Sequence, residues 1–164
     1  MKLDPILTVK QNKLFKISSG EEVNPSDFER IEIKWSKVEL QSQIYNEEYL
    51  ADLRNDLKNL EIKNRFAILV PLVDKNLDTS EETEAFIDTC NHTARRVKDC
   101  ISVAGFELPA KLIAGGFGAG SPAADFMEKL AIKHAQYVYF VKEDAFASKQ
   151  NSPVKPLPES IVLY

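Results

Sequence analysis

The chain has 164 residues, is 44% hydrophobic and 28% charged, and carries a formal net charge of −4. That composition suits one globular domain with a real core. It gives no electrostatic reason to bind nucleic acid or an anionic membrane, and no run approaches the roughly 18–20 apolar residues of a membrane span. The opening residues lack a signal-peptide core, because Asp4 and Pro5 interrupt it. The two cysteines, Cys90 and Cys100, read as buried thiols rather than a disulfide. Both observations point to a cytoplasmic protein.

Residues 13–17 can form a short strand, and the turn-rich segment 18–27 follows. Ser26 is placed to cap a single helical turn from Asp27 to Arg30. Residues 31–35, IEIKW, alternate Ile31, Ile33 and Trp35 against Glu32 and Lys34, the period of a strand. Residues 46–62 give a clear helix. Asn46 is a good N-cap, Glu47 and Glu48 suit the positive end of the dipole, and Leu50, Leu53, Leu57 and Leu60 form one apolar stripe. Residues 66–73, FAILVPLV, read as a continuous buried strand.

A second helix starts at Ser80, with Phe86, Ile87, Cys90, Ala94 and Val97 on its inner face. A strand over 101–106 follows. Ser121-Pro122 announces a third helix by its cap and first-turn proline, with Ala123, Phe126, Met127, Leu130 and Ala131 as its stripe. Residues 137–141, YVYFV, are the next strand. Alternating strands and helices with short links predict an α/β fold: four or five mostly parallel strands with three main helices, as an open sheet or a half-barrel. Residues 1–146 form that domain, and 147–164 read as a proline-containing tail whose apolar end, 161–164, can dock on the domain or on a neighbour. An uncovered half-barrel leaves an apolar face and strand edges, which predicts a homodimer.

From 31 to 108 the layout resembles the middle βα units of cellulase-type glycoside hydrolase barrels. The likeness rests on IEIKWSKVE followed by YNEEYL at 45–50, on the buried strand FAILVPLVD, and on HTARRVKDC leading into Val103-Ala104-Gly105-Phe106-Glu107-Leu108. The resemblance implies a barrel-like fold and a sugar-cleaving ancestry. It also implies an acid/base glutamate in an Asn-Glu pair shortly after this point, where this sequence carries Ala110-Lys111. Glycosidases need two carboxyls, roughly 5 Å apart when retaining and roughly 6.5–9.5 Å when inverting. A complete barrel takes about 250 residues.

In parallel α/β folds, sites form at the carboxyl ends of the strands. Glu39, Asp74, Glu107 and Glu143 fall at or just past strand ends, and Lys111 lies close by, so they are candidates for binding a hydroxylated ligand or sugar. Trp35 at the end of its strand is a candidate for stacking on a sugar, or else packs at the core. The run 114–122 holds four glycines before the helix capped by Ser121, so Gly116, Gly118, Gly120 and Ser121 are candidates for holding an anion, or simply form a surface loop. Walker and nucleophile-elbow motifs are missing, and no metal-ligand spacing or cofactor is indicated. His92 and Arg96, four apart on one helix face, are candidates for holding an acidic ligand or partner, or else lie on a solvated face with Arg96 paired to Asp88 or Asp99. Two functions follow: a non-catalytic half-barrel that binds a ligand or partner, or a small enzyme or binding protein for a phosphorylated or carboxylated metabolite using the loop 114–122.

Overall fold

The computed structural model describes residues 2–147 and 157–164. It opens with an antiparallel meander of β1 (Leu7–Lys10), β2 (Lys13–Lys16) and β3 (Glu22–Val23). Gln11 and Asn12 turn β1 into β2 with φ of 51° and 65°, the left-handed pair that a two-residue hairpin loop requires. The expected helical turn after Ser26 is instead a 3-10 turn over Pro25–Asp27, capped by the Asn24 side chain. It ends there because Glu29 already joins the sheet, donating its N–H to the Phe66 carbonyl at 3.0 Å.

The rest runs as β4 (Glu29–Lys34), α1 (Trp35–Val38), β5 (Glu39–Gln41), β6 (Ile44–Tyr45), α2 (Glu47–Ile62), β7 (Ala67–Leu72), α3 (Ser80–Arg96) and β8 (Val103–Glu107). After these come α4 (Ala110–Ile113), α5 (Pro122–Ala131), β9 (Val138–Val141), α6 (Glu143–Ala147) and β10 (Ile161–Leu163). Asn46 caps α2 and Ser121 caps α5, each accepting an N–H from three residues on, as read from the sequence. In α5 the buried positions are Ala123, Ala124, Phe126 and Leu130, whereas Ala131, the last residue of the helix, is exposed. The strand expected from 101 starts at Val103, because Val97, Cys100 and Val103 are linked by turn hydrogen bonds that leave Ile101 outside.

Five parallel strands form the main sheet in the order β10-β9-β8-β7-β4. Strands that follow one another in the chain are neighbours, so right-handed crossovers carry the helices to one face. There Ile33, Leu69, Phe106 and Ile161 pack with Leu50, Leu57, Phe86 and Phe126 from α2, α3 and α5. The opposite face would line the interior of a closed barrel. Here Ile68, Val70, Ala104, Val138, Phe140 and Val162 form a second core with Leu7 and Leu14 of the meander. The apolar face that called for a dimer is thus covered from within the chain. Pro71 fits inside this sheet because its missing N–H would point toward β8, beyond the last β7–β8 pair, Leu69 with Phe106.

The C-terminal segment docks on its own domain. Asn12 donates from its side chain to the Pro158 and Ile161 carbonyls at 2.8 Å and accepts the Leu163 N–H at 3.2 Å. Residues 148–156, the middle of the expected tail, lie outside the described residues. Between helices, Glu47 at the start of α2 meets both His92 and Arg96 at 2.7 Å. Both side chains are therefore engaged by an acid of the chain itself on the neighbouring helix, while Asp88 and Asp99, the partners expected for Arg96, pair with Lys129 and Arg54.

Two positions carry measurable consequences. A Cβ on Gly105 would lie 1.6 Å from the Val138 carbonyl oxygen on β9. Gly105→Ala is expected to cost about 3 kcal/mol or more, read by urea denaturation. His134 is buried, and neither of its ring nitrogens has a partner among the described residues. Burial, with Arg95, Lys98, Lys133 and Lys2 nearby, holds its pKa below the ordinary histidine value. The unfolded chain then takes up a proton that the folded chain refuses, so this contribution to stability is complete above about pH 6.5 and falls as pH drops. Urea unfolding at about pH 7.5 and about pH 5.5 should show a larger loss for the native protein than for His134→Phe.

Candidate functional site

Strand alternation sends Arg30, Glu32 and Lys34 of β4 to the face opposite Ile31 and Ile33. Glu107 ends β8 on that same face, in register with Phe140. Tyr164 follows β10 and packs its ring on Phe140, with centroids 5.6 Å apart. The three side chains converge. Arg30 Nη2 donates to Glu107 Oε1 at 2.8 Å, Arg30 Nε donates to the Tyr164 hydroxyl at 3.0 Å, and that hydroxyl donates to Glu107 Oε1. Lys142 Nζ lies 4.8 Å above the Tyr164 ring. Burial, with the Glu107 carboxylate as acceptor, pushes the Tyr164 phenol well above its ordinary pKa, while Arg30 acts in the opposite sense. The phenol is thus a neutral donor near pH 7.

The other candidates do not join this cluster. Trp35 starts α1 instead of ending a strand, is 4% exposed, and packs edge-on against Phe86 on the helix side. Its Nε1–H donates to Glu39 at 2.9 Å. Glu39 is buried and fully engaged, since it also accepts from the Gln43 N–H at 3.2 Å and pairs with Lys75 at 3.3 Å. Asp74 accepts the N–H of Ser36 at 2.9 Å and its hydroxyl as well. Burial works to raise its pKa, but these bonds bring it below the ordinary carboxylate value. Lys111 is exposed on the four-residue α4. The Glu143 side chain is exposed, and its N–H donates to the Tyr164 carbonyl at 2.7 Å.

In the loop 114–122, Gly116 and Gly120 adopt φ of 81° and 82°, and a Cβ at Gly118 would meet nothing within 4 Å. The Ser121 hydroxyl is occupied as the cap of α5. The surface beside Gly120 is lined by Glu84, Asp125 and Lys129, and Lys129 is paired with Asp88. Among the described residues no group of three or more acidic, histidine or cysteine side chains could hold a metal ion, and no helix is long and apolar enough to cross a membrane. Sequence reasoning missed Arg30 and Tyr164. Arg30 falls in the expected helical turn; extending the alternation of Ile31 and Ile33 back by one residue puts it on the face away from the isoleucines, but nothing local ties it to Glu107.

No protein-family model and no curated protein matches the chain. Solved structures do. Endo-glycoceramidase II from Rhodococcus sp., in a cellobiose-like imidazole complex, superposes with a TM-score of 0.58 at 13% identity over 84% of this chain and 47% of that one. The GH5_18 protein from Bifidobacterium longum subsp. infantis superposes with a TM-score of 0.51 at 12% identity over 70% of this chain and 34% of that one. The chain spans about half the length of the first and about a third of the second. At such identity the likeness is one of fold. The resemblance read from residues 31–108 thus extends, as a half-barrel, over most of the chain.

Removing Arg30 leaves Glu107 buried with Tyr164 as its remaining partner in the cluster. A fully buried pair broken this way costs about 3–5 kcal/mol and a surface pair almost nothing. With the Arg30 side chain 35% exposed and that of Glu107 11%, Arg30→Ala is expected to cost about 2 kcal/mol in denaturant unfolding.

Proposed function

We propose that this chain is a non-catalytic, half-barrel relative of the glycoside hydrolases that binds a hydroxyl-rich ligand at the rim where β8 and β10 end, which Arg30 reaches from early in β4. The observation that carries this reading is the Glu107 carboxylate, which accepts from both Arg30 and Tyr164. A glycosidase acid sits in apolar surroundings that favour its protonated form, whereas Glu107 faces a guanidinium and a phenol. Ala110-Lys111 stands where the resemblance would put the Asn-Glu pair. The meander on the inner face adds support, because that face is already filled by Leu7 and Leu14. What the rim offers is binding chemistry: Arg30 and Lys142 as donors, Glu107 as an acceptor and Tyr164 as an aromatic surface. A cytoplasmic setting goes with two free, buried thiols, Cys90 and Cys100.

Two measurements test this. Aryl β-glycosides should show no hydrolysis above buffer; turnover that disappears in Glu107→Gln would establish catalysis instead. Titration of the labelled protein with cellobiose or lactose, the sugars suggested by the complexes of the similar structures, should shift NMR resonances of Arg30, Lys142 and Tyr164. Absence of any saturable shift with either sugar would remove the ligand reading.

A further inference from the structure

We propose a second binding site, at the amino-terminal end of the main sheet, for an amphipathic anion: a carboxylate carrying a medium-length apolar tail. A groove of about 380 Å³ opens there between the meander, the end of α2 and the turn before β8. That is the size of a small-molecule site. Its apolar surface comes from Ile6, Leu7, Phe66 and Ile101. Seven large hydrophobic residues are exposed among those described; two of them line this groove and two more are chain neighbours of its lining residues. Ile6 (46% exposed) and Ile101 (52%) line it; Ile17 (51%) and Ile62 (81%) sit in the segments that form its walls. Scattered apolar residues need no explanation, but a concentration about one concave surface marks a binding site.

The charges decide what kind of ligand fits. Glu61, the carboxylate lining the groove, is already engaged: it pairs at 3.2 Å with Lys58, which also reaches Asp99, and accepts the Ile101 N–H at 2.6 Å. Arg65 is held by Glu29 at 2.8 Å. Lys16 also lines the groove and forms no ion pair among the described residues. An apolar floor beside an uncompensated ammonium favours a hydrocarbon body with an anionic head. It disfavours a cation, which would meet Lys16 and Arg65 with no free carboxylate, and a second copy of the same patch, which would bring like charges together. The groove lies at the amino ends of β7 and β8, whereas Glu107 closes β8 and Tyr164 follows β10; Arg30, early in β4, reaches toward that other end and does not line the groove, so the site stands apart from the proposed rim function.

Decanoate below its micellar concentration is the probe, added to the full-length labelled protein. Saturable shifts are expected at Ile6, Phe66 and Ile101, with none at Tyr164. Decanol should bind more weakly than decanoate. Lys16→Glu, an exposed substitution that should leave the melting temperature unchanged, should weaken decanoate by about fivefold and leave decanol unaffected. Ile101→Asp should abolish both. The proposal fails if decanoate gives no saturable shift at these residues, if decanol binds equally well, or if Lys16→Glu leaves the decanoate affinity unchanged.

Discussion

A parallel sheet is apolar on both faces, and this one has all its helices on one of them. The consecutive strand order leaves no alternative: every crossover of the same hand delivers its helix to the same side. The fold therefore depends on what covers the other side. In a closed barrel the sheet covers itself. Here β1 and β2 do it, laying Leu7 and Leu14 onto Ile68, Val70, Phe140 and Val162. Each fully buried leucine contributes about 1.5–3 kcal/mol, so the meander is a structural layer and not an appendage. It also explains how half a barrel can bury its inner face without a partner subunit.

The same geometry places the rim. Arg30 belongs to β4 at one edge of the sheet, Glu107 to β8 in its middle, and Tyr164 to the segment after β10 at the other edge. One carboxylate thus ties both edges to the centre. The Asn12 side chain does a similar job at the turn between β1 and β2, gripping the Pro158 and Ile161 carbonyls. In each case the polar group joins segments more than a hundred residues apart in sequence: β4 to the residue after β10 in the first, and the β1–β2 turn to the C-terminal segment in the second.

Local signals were legible. Asn46 and Ser121 are caps whose chemistry is complete within four residues, and the leucine stripe of α2 needs only its own spacing. The parallel direction of the strands followed from the alternation of elements. Two failures share one cause. Trp35 continues the alternation of Ile31 and Ile33, so it reads as the end of a strand; the helical turn that buries it is set by Phe86, Glu39 and Lys75, which the local period cannot register. Glu107 was found from its place at a strand end, but its partners lie 77 and 57 residues away. Contacts at that range are made by topology and leave little mark on the neighbouring sequence.

Ile101 shows how such a misreading can point to chemistry. In the run from Ile101 to Phe106 it looks like the first core residue of a strand, and burying it would have been favourable. Instead the turn at Cys100 holds it out, and Glu61 fixes that turn by accepting its N–H. The chain thus uses a buried-type carboxylate contact to keep an isoleucine at the surface beside Ile6 and Phe66. Ile101 belongs to neither the helix-side core nor the core under the meander. The consistency between local pattern and global packing breaks at this position, and such breaks collect where a surface is shaped for something other than stability.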